Sequence, residues 1–167
     1  RDLSRDRALE DAARAAREQA QATLDSISDA LVVVDPAGTV TAFNPAATEL
    51  TGWTREDALG RVLEEVVRLV EPGRAVPQVS VLREALKTGK PSRLEGEREL
   101  VRRDGAQRAV EESASPLRDA QGRATGGVLL LRDVSHAREQ AQALTHMAQH
   151  DALTGLPNRV LLHDRLE

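Results

Sequence analysis

The chain carries three successive rhythms of apolar and polar positions. From Arg1 to about Ser28 there is no Gly and no Pro, and Leu9, Ala13, Ala16, Ala20, Thr23 and Ile27 follow one another at spacings of four and three. That is the seam of a two-stranded coiled coil, set in a segment rich in the good helix formers Ala, Arg, Glu and Gln. Ala at most seam positions buries little area, which keeps a solvated single helix with a narrow apolar stripe as the alternative. Between about Leu24 and Ser135 the rhythm changes. "ALVVVDPAGTVTAFN" sets two β-branched runs around a "DPAG" turn and predicts a hairpin. "NPAATELTG" and "TREDALGRVLEEVVRLV" predict short helices, capped by Asn44 and Thr54, with Pro45 at a first helical position and Gly52 and Gly60 as stops. "PQVSVLREALKTGK" predicts a longer helix with Val79, Leu82 and Leu86 on one face and Gly89 closing it. The period then returns to two: "RLEGERELVRRDGAQRAVEESASPL" turns at Asp104-Gly105, and "GGVLLLRDVS" is a nearly continuous apolar strand. Two strands, several short helices and three strands make an α+β fold.

From Ser135 onward the helical rhythm resumes. Val134, Ala137, Ala141, Leu144, Ala148 and Asp151 repeat the three-four spacing, so a second seam follows the central domain. Two coiled-coil-like helices flanking one domain predict a parallel homodimer. Thr154, Gly155 and Pro157 then break the helix, and Asn158 is suited to cap a further one in which Leu162 and Leu166 share a face. The expected segments are an N-terminal helix (1–23), a central domain (24–135), a linker helix (136–150) and the start of another unit (151–167).

Composition narrows the chemistry. A length of 167 residues suits one ordinary domain with helical extensions. The 40% apolar content leans on Ala and Val, with one Phe, one Trp, one Met and no Tyr, so a flat cofactor finds few rings to stack on. With no Cys there is no disulfide framework, no thiolate metal site and no cysteinyl flavin adduct, and the composition fits a reducing cytoplasm. A net charge of −4 gives no reason to approach nucleic acid or an anionic membrane. No apolar run approaches the roughly 20 residues that cross a bilayer, although a parent protein has room for a membrane anchor upstream.

The order and punctuation of 24–135 resemble the PAS sensory domain. The resemblance rests on "LVVVDPAGTVTAFNPAATELTGW", "REDALGR", "VRRDGAQ", "SASPLRDAQGRATGGV" and the closing "RDVS". It implies a five-stranded antiparallel sheet with short helices over one face, a pocket beneath those helices, and a signal relay at Asp133, Val134 and Ser135 where sheet passes into helix. A local reading of the same residues makes Asp133 the polar end of a strand and Ser135 the N-cap of the next helix. "DALTGLPNR" at 151–159 resembles the entrance to the GGDEF domain of diguanylate cyclases, which join two GTP molecules into cyclic di-GMP. By that resemblance Asn158 matches a guanine-contacting residue, and Asp151 and Arg159 match residues that hold a wide turn; as an incomplete entrance, all three also read as caps and surface charges. The magnesium ligands and the Gly-Gly-Asp/Glu-Glu-Phe loop are expected beyond Glu167. The expectation is therefore a sensor and linker cut just after a catalytic domain begins, with no catalysis of its own.

The pocket is characterised mainly by exclusion. His136, His146, His150 and His163 all follow the Asp-Val-Ser junction, so none is placed to ligate haem iron within the cup. Phe43, Asn44 and Trp53 are the candidate pocket residues, with room for a small-molecule ligand of unknown identity. Trp packing over the core beside a helix end is the competing role for Trp53. Charged residues from Glu95 to Glu112 fall partly on the concave face by alternation, where an Arg could hold a carboxylate or phosphate; as solvated cross-strand pairs each is worth only about 0.2 to 1 kcal/mol. The favoured function is a sensory and dimerisation module of a cyclic di-GMP signalling protein. The alternatives are a ligand-free relay in a catalytically degenerate GGDEF or GGDEF/phosphodiesterase protein, and a histidine kinase sensor suggested by "HD" at His150. The kinase pattern does not continue, because A-L-T-G-L-P-N-R follows where its own box would stand.

Overall fold

The computed structural model describes residues 2–149. Helix α1 (Asp2–Asp25) runs for 24 residues, about 36 Å at 1.5 Å per residue, and is exposed along nearly all of it. Leu9 is 66% exposed. Ile27, expected as the last member of the seam, lies past the helix end, because hydrogen bonds from Ser26 to Ala22 and Thr23 and from Ile27 to Leu24 close the last turn.

Strands β1 (Ala30–Val34) and β2 (Val40–Phe43) form the predicted hairpin. Its turn is held by the Asp35 carboxylate, which accepts from the backbone of Ala37 and Thr39, and by Gly38 at φ 91°. Helices α2 (Pro45–Thr51) and α3 (Arg55–Ala58) begin on the Asn44 and Thr54 caps, and the Gly52 backbone closes α2 in the left-handed region. The remainder of "GRVLEEVVRLV" departs from the helix expectation. Only α4 (Leu63–Val66) is helical; Arg68–Val70 is strand β3, which pairs with β6 (Arg98–Val101) and with β4 (Pro77–Gln78). Val66, Val67, Leu69 and Val70 are all buried, and a β-branched run of this kind satisfies its backbone in a sheet as well as in a helix.

Helix α5 (Val81–Thr88) starts later than predicted, on a Ser80 cap. Its buried face is Val81, Leu82 and Ala85, with Leu86 half-buried, while Val79 is 66% exposed. Strand β5 (Ser92–Arg93) and the long strands β7 (Gln107–Arg118) and β8 (Ala124–Asp133) lead to α6 (Ser135–Gln149). The sheet is antiparallel, in the order β2-β1-β8-β7-β6-β3-β4, with β5 beside β7. Its five principal strands are the expected ones, and three short strands extend them.

The inner face of the sheet carries Val32, Leu129 and Ala114 in one cross-strand row and Ala30, Leu131 and Glu112 in the next. Leu63, Leu82, Leu100, Leu129 and Leu131 are at most 1% exposed and fill the centre of the cup. Close approach of β8 to β1 requires glycine at 126: its φ is 139°, and a Cβ there would lie 1.9 Å from the Val34 carbonyl oxygen.

Candidate functional site

The junction between sheet and helix is built from backbone groups and two short side chains. Val134 N–H donates to the Ala109 carbonyl at 2.9 Å, and Ala109 N–H donates to Ser135 Oγ at 2.9 Å. Asp133 Oδ1 accepts from Ser135 N–H at 2.9 Å. Ser135 is therefore not the helix cap suggested by the local reading: Val134 supplies the first helical carbonyl, accepting from Arg138, while the Ser135 hydroxyl ties α6 back to β7. Arg138 lies within 3.9 Å of Glu97 and 3.8 Å of Glu99, a further link from the first turn of α6 to the sheet.

Of the candidate pocket residues, Asn44 is buried with both ends of its amide in use. Oδ1 accepts from Leu31 and Ala47 backbone N–H groups at 2.9 Å each, and Nδ2 reaches the carbonyls of Asp29, Ile27 and Leu24 at 2.9, 3.3 and 3.4 Å. It ties the end of α1 to β1 and α2. Phe43 is 2% exposed and edges a groove of about 440 Å³ shared with Thr48, Thr54 and Arg55. Trp53 packs on the rim of the core, with the guanidinium carbons of Arg103 and Arg61 at 4.4 and 5.1 Å from its ring centre. A second groove of about 480 Å³, mostly apolar, lies between α4, β3 and the residues leading into α5.

The residue that sequence reasoning undervalued is Glu112, 1% exposed on the inner face of β7. Its Oε1 accepts from Ser80 Oγ at 2.6 Å and from Val81 N–H at 3.2 Å, and its Oε2 lies 3.2 Å from Arg98 Nη1. Arg98 also donates to the Val79 carbonyl, so the pair grips the start of α5 from below. Burial pushes the Glu112 carboxyl above its ordinary range, opposed by the Ser80 hydroxyl, the Arg98 charge and the Val81 amide. The signal was present in the sequence: Glu112 has the parity of Val110 and Ala114 and therefore faces inward with them.

His136 and His146 lie on α6, beyond the cup. Among the described residues no three His, Cys, Asp or Glu side chains are grouped to hold a metal, and no helix is long and apolar enough to cross a membrane. Asp151, Asn158, Arg159, His150 and His163 lie outside the described residues.

Residues 24–139 match the family model of the PAS fold. The chain belongs to that family. The PAS domain from a Colwellia psychrerythraea protein superposes with a TM-score of 0.55 at 21% identity, over 71% of this chain and 97% of that one. The PAS domain of Bordetella pertussis BvgS gives 0.53 at 20% identity, over 77% and 93%. Among curated proteins, the chain is 35% identical to a probable diguanylate cyclase, DgcE of Escherichia coli K12, across 99% of this chain and 15% of that protein. It is 26% identical to the cyclic di-GMP phosphodiesterase PdeB of Shewanella oneidensis, across 90% and 17%. This PAS domain with its helices thus spans about a sixth of the length of those two relatives.

Proposed function

We propose that this PAS domain is the sensory and dimerisation module of a cyclic di-GMP signalling protein, passing its signal through Asp133, Val134 and Ser135 and along α6 to a GGDEF domain that begins at "DALTGLPNR". The observation that carries the relay is the double tether of the junction to Ala109, from Val134 and from Ser135. Ala109 lies on β7, the strand that also holds Glu112 under α5, so a displacement of α5 has a short path to the start of α6 through the Ser80–Glu112 hydrogen bond, a few residues of β7 and the hydrogen bonds at Ala109. Likeness to DgcE along the whole chain supports a cyclase as the output. A second reading, supported by the likeness to PdeB, puts a phosphodiesterase or a degenerate GGDEF domain in its place.

Ser135→Ala removes the acceptor for Ala109 N–H while leaving the backbone bond from Val134 intact. With the chain joined in frame to an active GGDEF domain, this substitution is expected to change cyclic di-GMP synthesis from GTP about fivefold or more, the lower range of ordinary coupling energies. An unchanged rate with intact folding would sink the relay.

Dimerisation is the other half of the reading, since two GGDEF domains must face each other to join two GTP molecules. The exposed stripe of α1 and exposed Leu144 of α6 are the surfaces offered for it. Ile27 has dropped out of the seam, so Leu9→Glu together with Ala16→Glu is the cleaner test: light scattering is expected to show the mass in solution halved. A native chain that is already monomeric at high concentration would refute the parallel dimer.

A further inference from the structure

The inward rows of two neighbouring strands turn charged at the same end of the cup. Past Leu131 on β8 comes Asp133 and past Val110 on β7 comes Arg108, each two residues along and therefore on the same face, while Arg102 follows directly after the end of β6 and lines the same cavity. Cross-strand register brings them together, with Asp133 opposite Val110 and Arg108 opposite Leu100. Helix α2 roofs this end with Ala46, Glu49 and Leu50. The result is a cavity of about 270 Å³ lined by those residues, Arg102, Arg108 and Asp133 among others, with Ala30 and Leu131 as apolar floor.

Its charges are poorly spent on other protein groups, and Glu49, Arg108 and Asp133 are exposed at its mouth. The Arg108 and Glu49 side chains take part in no hydrogen bond or ion pair among the described residues, and Asp133 uses one carboxylate oxygen, on Ser135 N–H. The Arg102 Nε is buried without a hydrogen-bond partner, its nearest carboxylate being Asp104 at 3.6 Å. Asp29 at the rim is already engaged by Arg132 at 3.3 Å. One unpaired guanidinium, Arg108, a second that Asp104 approaches only at 3.6 Å, and two available carboxylates thus line one small cavity without pairing with each other.

We propose that this cavity is a binding site for a small zwitterion of the α-amino-acid type. The ligand carboxylate is held by Arg102 and Arg108, for which planar guanidiniums are well suited, and its ammonium group by Glu49 and Asp133. A simple anion would meet the two carboxylates and a simple cation the two guanidiniums, so only a ligand with both charges is matched on every side. The volume, just under the roughly 300 Å³ where sites for larger organic ligands begin, suits a molecule with a short side chain. Occupancy adds a charge partner to Asp133 directly at the helix junction, a second input to the relay from the end of the cup. The binding claim stands on the cavity alone; the regulatory consequence rests on the relay reading.

Calorimetric titration of the chain with glycine, L-alanine and L-serine tests it, with acetate, methylamine and inorganic phosphate as single-charge probes. Saturable binding of the zwitterions and none of the single-charge probes is expected. Arg108→Gln and Glu49→Gln are each expected to weaken that binding about tenfold or more, with melting temperatures unchanged because both side chains are unpaired. No saturable heat from any zwitterion, binding of acetate or phosphate as tight as that of the amino acids, or full affinity in Arg108→Gln would each overturn the proposal. Because the titration needs no output domain, its result is independent of the Ser135→Ala experiment.

Discussion

Asn44→Ala is expected to lower the unfolding free energy by about 3 to 4 kcal/mol, one of the largest effects of any single substitution in this chain. The estimate follows from what the truncation strands. Leu31 N–H and Ala47 N–H lose their acceptor in a site that is 1% exposed, and a buried donor without a partner costs about 1 to 3 kcal/mol. Asp29, Ile27 and Leu24 carbonyls lose a shared donor, and α2 loses its N-cap, ordinarily worth about 1 kcal/mol. Asn44→Ser separates these parts, since a hydroxyl still caps Ala47 N–H but does not span to the end of α1; its loss should be about 1 kcal/mol smaller. Urea unfolding with unchanged m-values measures both. A loss under about 1 kcal/mol for Asn44→Ala would mean that the clamp between α1, β1 and α2 is not a structural one.

What was legible in the sequence is what depends on neighbours within a few residues. Asn44, Thr54, Pro45, Gly52 and Gly89 stand at the caps and stops expected of them, because a cap is a contact over two to four residues. The errors arose where a distant strand decides. "VVRLV" becomes β3 because β6 lies alongside it, and Val79 leaves the face of α5 because Ser80 is drawn down to Glu112, a residue 32 positions away. Both alternatives satisfy local propensity, so only tertiary pairing separates them. Charge posed the same difficulty at Glu112, Arg102 and Arg108. A run of Glu and Arg reads as a solvated sheet face until register shows which members turn inward, and parity alone would have marked Glu112 beside Val110 and Ala114.

Glu112→Ala is the second large effect, expected to cost about 3 to 5 kcal/mol near neutral pH, the ordinary loss when one partner of a buried ion pair is removed. Arg98, whose side chain is 14% exposed, would keep its charge without the carboxylate, and Ser80 Oγ and Val81 N–H would lose theirs as acceptor. The start of α5 should loosen first, with faster amide exchange across Val81 to Ala85 than in the rest of the core. The pH dependence distinguishes this carboxylate from its neighbours. Burial raises the Glu112 pKa above the unfolded value near 4.5, so over the interval between the two the folded chain holds the proton and the unfolded chain does not. Stability then falls as pH rises through that interval, and the contribution is complete only below 4.5. Glu64, lowered by its hydrogen bond to Arg83, and Asp57, lowered by that to Arg103, act in the opposite sense, but their stabilisation is lost as pH falls below 4.5 and 3.8 respectively. The two windows do not overlap. Unfolding measured as pH is raised above 4.5 should therefore carry a downward slope assignable to Glu112. In Glu112→Gln, which retains an oxygen for Ser80 and Val81 but no titrating group, that slope should vanish. A slope that survives in Glu112→Gln would place the proton elsewhere, and a Glu112→Ala protein of native stability would show that α5 is held by its apolar face of Val81, Leu82 and Ala85 alone.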